Sequence, residues 1–462
     1  MKNLLKVMLS IFLAITLCVV SIGCGENPDN GGTGDNPGEG GGTTTVEVVP
    51  PTYKAPSKID DRDYSVFYFD GDAGSDANSG KHQLSPKKTI GAIAQLAQTA
   101  SELNPIKILL KCGSTFAGNL YLSNYETTEK KPLIISSYGD LSKGRPKLVG
   151  SGQNTDTAYA VVTAHEDNVR ISNLEITDPY AYQGIFFSPT KAGAMKNVVV
   201  ENCYVHDVNF FWDEDKHDPN NPPDTLEGLA EICPSFTASG SLGRRYYRNY
   251  GGIVFSNATT VQIGASWYEN LYAINNVIER VARTGIYVTT RWSNAPGVGY
   301  GENKFVDETE RWNNAEKGIG YFIHKNVNFV DNKLDLIAGD GIILGAKDSV
   351  LQGNICYRAN YLGCRKELSI TGVEAAQYFN AAIWVYDANN VLFQNNEAGY
   401  TFLRNGGGDG EGFDIDNSCE NVYFQYNYAH HNEGGGILVC NTTVELLRHD
   451  KDGNVISPYG NA

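Results

Sequence analysis

The 462-residue chain is short of positive charge: 37 Lys and Arg stand against 53 Asp and Glu, a formal net charge of −16. Binding to a phosphate backbone runs on Lys and Arg, so the balance argues against nucleic acid as a partner. It argues more weakly against simple electrostatic capture of an acidic polymer. Cysteine pairs are also missing. Of nine cysteines, Cys18 and Cys24 belong to the N-terminal leader; the seven in the body make no CxxC pair and no His/Cys spacing of metal type. An odd number cannot pair completely, and these residues read as small buried apolar side chains. The apolar run Val7 to Val20 is short for a membrane span. Asn-Gly hairpin signals are few, which counts against an antiparallel propeller.

Glycine (50) and tyrosine (27) are plentiful, as suits a turn-rich β protein with carbohydrate-facing surfaces. Residues 1–23 read as a secretory signal, with Lys2 and Lys6 before the apolar run. The ending Ser21-Ile22-Gly23-Cys24 resembles a bacterial lipobox, with Ser where Leu is commoner. That resemblance implies lipidation of Cys24 and anchoring to the outer membrane or cell surface. Residues 24–58 are Gly/Pro/Asn-rich and read as a flexible tether, leaving 59–462 as the folded domain.

That domain opens with a strand at Val66-Phe67-Tyr68-Phe69, then the loop Asp70 to Gly80. The loop is either a calcium site or an Asx-turn network. From Pro86 to Ala100 the apolar residues Ile90, Ile93, Leu96 and Ala97 have helical spacing. Short strands follow at Ile106–Leu110, Phe116–Leu122, Leu133–Ser136 and Leu148-Val149. An Asn then recurs about ten residues before a Gly-apolar strand: Asn173 before Gly184, Asn276 before Gly285, Asn332 before Gly341, and Asn427 before Gly435. With longer gaps, Asn202 precedes Gly251, Asn354 precedes Ala382 and Asn395 precedes Gly412. Such repetition predicts an all-β solenoid, a right-handed parallel β-helix with an N-terminal capping helix. Its corner Asn residues should adopt αL and pass amide hydrogen bonds along the stack.

Insertions at 208–250, 361–380 and 400–411 all fall between the Asn and the Gly-apolar strand, so they should form one wall of a groove. A fourth, 290–317, follows a Gly-apolar strand and could make the opposite wall. These loops carry Trp212, Arg244, Arg245, Tyr246, Tyr247, Arg248, Arg291, Trp292, Trp312 and Arg404, residues suited to stacking on sugars and clamping carboxylates.

The stretch Gly406 to Gly436 sets Asp409, Glu411, Asp414 and Asp416 within eight positions, followed by His430, His431 and Glu433. In Gly412-Phe413-Asp414-Ile415-Asp416 the two acids share one strand face. Aligning the Gly-apolar strands puts Tyr287, Trp384 and Tyr386 on the same face, with Trp384 and Tyr386 beside the acid pair. Two adjacent carboxylates should split their pKa values, leaving one donor and one base or nucleophile, as glycoside hydrolysis requires. Asp409 or Glu411 could also be the donor, and His431 could orient an acid. Calcium ligation by Asp409, Asp414 and Asp416 is the competing reading.

This stretch, with Gln425 to Gly435, resembles a motif of bacterial right-handed β-helix proteins of the pectate lyase-like superfamily, many of them polysaccharide-active. The resemblance covers Tyr64 to Cys440 and implies the fold. The paired Asp-Asp, Gly-His-Gly and Arg-x-Lys of the polygalacturonase type are not clearly present, so catalytic residues do not carry over. The expectation is a lipid-anchored, monomeric glycoside hydrolase acting on a polysaccharide or oligosaccharide without a required cofactor. A calcium-dependent uronate lyase and a non-catalytic glycan-binding solenoid are the alternatives.

Overall fold

The computed structural model describes residues 49–152, 159–223, 225–233, 249–257, 266–289, 324–363, 380–386, 388–403, 409–416 and 419–440, with the backbone of 448–449 and 455–456. Within them the chain is a right-handed parallel β-helix. One turn runs through Val169–Ser172, Glu175–Asp178 and Gln183–Phe187, and Gly193–Glu201 begins the next. These three positions generate three parallel sheets, here sheets 1, 2 and 3 in chain order, of ten, nine and nine strands. A helix, α1 (Ile90–Ala97), caps the N-terminal end. Thr89 caps it by accepting a hydrogen bond from the Ala92 N–H, and Ile90, Ile93 and Ala97 are buried in the solenoid core. Phe116 to Leu122 makes two strands rather than one, Thr115–Ala117 in sheet 2 and Leu120–Leu122 in sheet 3. Gly118, at φ +114°, turns the corner between them.

Stacking is strict in register. In sheet 3 an inward column runs Ile185, Ile253, Ile286, Ile342, Ile383, Phe413, Ile437. The glycines before these residues have a reason other than a turn. A Cβ on Gly285 would lie 2.6 Å from the Gly341 carbonyl oxygen, and one on Gly341 would lie 2.3 Å from that of Ala382. The next turn's backbone therefore sits where a side chain would go.

The Asn pattern resolves into two adjacent columns. Asn173, Asn202, Asn275 and Asn395 adopt αL, with φ between +51° and +58°. The residues one step later form a buried amide ladder. Asn276 donates to Asn332 Oδ1 (3.0 Å), Asn332 to Asn354 (2.9 Å), Asn354 to Asn396 (3.0 Å) and Asn396 to Asn427 (2.9 Å). Each amide also donates to a backbone carbonyl, as Asn354 does to Phe329 O at 2.8 Å. The corner conformation and the buried hydrogen bonds are thus divided between neighbours.

The Asp70–Gly80 loop is an Asx-turn network. Asp70 Oδ1 accepts from the Asp72 and Ala73 N–H groups, and its Oδ2 pairs with Lys111 Nζ at 2.6 Å. Asp76 accepts from the N–H groups of Lys88 and Thr89 and from the Thr89 hydroxyl. These bonds to N–H groups and a lysine are those that the Asx-turn reading expects. Residues 49–58, expected to be tether, also differ. Arg170 donates to the Ser57 carbonyl, Ser57 Oγ donates to Glu129, and Lys54 to Ser57 roof a cleft over Asn197, Val199, Asn270, Tyr272 and Asn326 of sheet 1. Of the six cysteines among the described residues, four are buried.

The insertions fall where the pattern placed them. Those at 208–250, 361–380 and 400–411 lie between sheet 2 and sheet 3 strands, and 290–317 lies between sheet 3 and sheet 1 strands. The described roots of the first three share a second core. Phe210, Leu229, Ile232, Cys233, Ala282, Leu336, Ala338, Tyr361 and Leu362 are buried together, with Trp212 and Phe402 against them. Tyr361 donates to the Asp218 carbonyl at 2.7 Å, joining the first insertion to the second.

Asn354→Ala tests the ladder. It leaves Asn332 Nδ2, the Asn332 N–H and the Phe329 carbonyl without their partner. A loss of about 2–3 kcal/mol is expected, read as a lower thermal midpoint with the parallel-sheet circular dichroism retained at room temperature. An unchanged midpoint would show the ladder to be dispensable.

Candidate active site

Sheet 3 carries an outward column running Phe186, Val254, Tyr287, Ile343, Trp384, Asp414, Leu438. Trp384 and Asp414 are paired neighbours, as the alignment predicted; Ile343 is the turn it passed over. The face is not open as expected. Val254, Tyr287, Ile343, Ala381 and Trp384 are buried together, with Phe186 and Tyr386 packed against them. Tyr287 and Trp384 are each only 3% exposed. Rings this buried offer no open stacking surface. Tyr287 donates or accepts a 2.6 Å hydrogen bond with Thr289, and Trp384 Nε1 donates to Asp340 Oδ1 at 2.9 Å. Tyr386 is half-buried.

Asp414 is the one acid of that outward column and is 4% exposed. Burial, then the negative charges of Asp416, Asp409, Glu411 and Asp340, push its carboxyl up to about 8. Its Oδ1 has no hydrogen-bond partner among the described residues. Glu411, at the head of the strand Glu411–Ile415, is buried too, and burial raises its pKa; its Oε2 is also without a partner. Asp409 and Asp416 are half-buried at either end of the strand. Gly410, at φ +120°, folds Asp409 back, and both acids lie near enough to Cys440 to raise its thiol. Three carboxyl groups, Asp409, Asp414 and Asp416, therefore converge.

Cys440 went unread in the sequence. It follows the strand Gly435–Val439, its N–H bonds the Ile415 carbonyl at 2.9 Å, and its thiol hydrogen-bonds Asp416. Burial and the three acids push that thiol up to about 12, so it serves as a neutral donor. Its register position beside Asp416 was the available signal.

His431 lies elsewhere. It occupies the corner after the sheet 2 strand Tyr428–His430, at φ +53°, in the αL column of Asp207, Arg280, Leu336, Arg358 and Tyr400. Its ring stacks on Tyr400 at 5.0 Å and its Nδ1 faces His430 Nδ1 at 2.9 Å. The turn-count that aimed it at the acid face missed this corner. Asp409, Asp414 and Asp416 gather as the calcium reading also requires, though among the described residues no group of three or more His, Cys, Asp or Glu meets metal-ligand geometry. Trp212, offered as a sugar platform, packs on Phe210, His217 and Tyr361. Arg291, Trp292, Arg404 and Cys24 lie outside the described residues.

No family model matches the chain. Lacto-N-biosidase of Bifidobacterium longum subsp. longum is 23% identical over 434 residues, covering 82% of this chain and 25% of that protein. The GH136 lacto-N-biosidase from Eubacterium ramulus, solved as native protein and as a selenomethionine derivative, has a TM-score of 0.57 and 21% identity. It matches 80% of this chain and 57% of its own. The structural likeness is one of fold. This chain spans about a quarter of the curated relative's length and little over half of the solved one's.

Proposed function

We propose that the chain is a glycoside hydrolase whose chemistry is carried by Asp409, Asp414 and Asp416. The observation behind this reading is the buried Asp414 carboxyl, crowded by acids and held in its protonated form through neutral pH. Hydrolysis of a glycosidic bond needs a carboxyl that still holds a proton when the leaving oxygen must receive one. It needs a second carboxylate for the cationic charge at the anomeric carbon. Asp409 and Asp416, half-exposed at the ends of the strand, are the groups a sugar in the groove would reach. Asp414 between them holds the proton; one flanking carboxylate relays it to the leaving oxygen while the other faces the anomeric carbon, and the Cys440 thiol fixes Asp416. The likeness to lacto-N-biosidases supports a glycan substrate. A lyase would instead use these acids ionised around calcium and would leave an unsaturated product. The leader and Cys24 support export and lipid attachment; Cys24→Ala should release the protein from the membrane fraction.

Incubation with a panel of neutral, N-acetylated and uronate-rich oligosaccharides should give new reducing ends without the ultraviolet absorbance of unsaturated uronates. Asp416→Asn, and separately Asp409→Asn, should each lower the rate by about 100-fold or more. Wild-type activity should fall as pH rises through about 8, where Asp414 loses its proton, and Asp414→Asn, with no proton to give, should lower the rate by about 100-fold or more at every pH. Absorbance rising with the reducing ends would replace this reading with a lyase.

The same carboxyl makes a stability prediction. Its folded pKa is raised to about 8 from 3.8, so between those values the unfolded chain has released a proton that the folded chain keeps. Folding therefore weakens as pH rises across this window. Asp414→Asn should match wild type in thermal midpoint near pH 4 and exceed it increasingly up to pH 8. A constant difference would mean that Asp414 is not held protonated.

A further inference from the structure

We propose that Arg283, Asp340, Asn360 and Asn380 form a positioning network that fixes Trp384 beside Asp414 and pins the roots of two insertions at the acid strand. The proposal rests on the glycosidase reading of that site. Arg283 and Asp340 stand 57 residues apart in sequence, are fully buried, and meet through Nη1 and Oδ2 at 2.5 Å. A buried ion pair is weak evidence of stabilisation, since desolvation offsets most of its attraction. This one also holds a non-glycine residue at φ +73°, a conformation that a Cβ disfavours.

The rest of the arrangement is built around the pair. A Cβ on Gly339, one turn above Arg283, would lie 2.2 Å from Arg283 Nη1, so the absence of a side chain there makes room for the guanidinium. Asp340 uses its other oxygen to accept from Trp384 Nε1 at 2.9 Å and from the Ala381 N–H at 3.3 Å. Trp384 is the strand neighbour of Asp414.

The other half reaches the loops. Arg283 Nη1 also donates to Asn380 Oδ1 at 2.6 Å, and Asn380 Nδ2 donates to Asn360 Oδ1 at 2.8 Å. Asn360 and Asn380 are the two ends of the second insertion, drawn together by their own amides. Asn360 Nδ2 then donates to the Phe402 carbonyl at 2.7 Å, and the Phe402 N–H bonds the Ala359 carbonyl at 3.1 Å. Phe402 is the root of the third insertion, which returns to the strand through Asp409. A chain of hydrogen bonds thus runs from two groove loops to the indole beside the buried acid. None of these side chains needs to touch substrate; they act by placing those that do.

Two variants of the full chain test this, with Asn354→Ala as a control that weakens the solenoid outside the network. Trp384→Phe keeps a ring and removes the donor, and Asp340→Asn keeps the shape and removes the charge. Each should lower kcat by about 10- to 100-fold with little change in KM, the signature of misplaced catalytic groups. The control should lose thermal stability and keep kcat below its melting temperature. By hydrogen–deuterium exchange, Asp340→Asn should speed exchange in 358–363, 380–386 and 400–403 while leaving 266–281 as in wild type. Wild-type kcat in Trp384→Phe, or exchange rising uniformly along the chain, would overturn the network as a positioning device. If wild type cleaves no glycan in the panel, the glycosidase reading fails by itself. Exchange confined to the two loop roots would then still support the pinning, and its absence would remove it.

Discussion

Each turn of this solenoid is held by the turn before it and the turn after it. Side chains cannot choose their neighbours freely under that constraint, because a residue meets whatever occupies the same column one turn away. The Asn276 to Asn427 ladder shows the consequence. Each buried amide is satisfied only because the next turn supplies an oxygen in register and the previous one a carbonyl. The glycine column obeys the same rule in reverse, leaving space for the backbone above. A site mounted on such a stack inherits fixed positions, with the loops left to vary at the sheet edges.

The acid strand uses that rigidity. Asp414 takes a place in a column otherwise filled by Phe186, Val254, Tyr287, Ile343 and Trp384. An apolar neighbour on one side and carboxylates on the other both disfavour its ionised form, so burial and charge act in one direction. The flanking Asp409 and Asp416 remain half-buried, one folded back by Gly410 and one held by the Cys440 thiol. Proton holding and contact with solvent are thereby assigned to different carboxyl groups on five residues of strand and its two ends.

The fold was legible because its causes are local and periodic: Asn, then Gly and an apolar strand, at a near-constant interval. The same periodicity put Trp384 beside Asp414. Legibility failed where a cause lies in another turn. Asn173, Asn202 and Asn395 were grouped with Asn276 and Asn332 because one residue separates the αL corner from the buried ladder, and only register tells them apart. Burial of the outward face could not be read from strands apolar on both sides, such as Gly251–Ser256. His431 was misplaced because a corner column of positive-φ residues intervenes before the next sheet 3 strand. The Arg283–Asp340 pair links positions with no spacing rule between them, and Arg283 in isolation resembles any surface arginine.

The strap of residues 49–58 changes how this domain would carry mechanical load. Its contacts follow the solenoid axis, from Glu129 and Arg170 past Val199 and Tyr272 to Asn326. A pull applied at Val49 is therefore delivered to several turns of sheet 1 together, as shear across side-chain contacts. It does not first peel the strand Ser65–Phe69 away from its neighbour, which would open the core one turn at a time. A domain tugged by its N-terminus would thus resist as a block, with the groove on sheet 3 held in shape while the chain before it is taut.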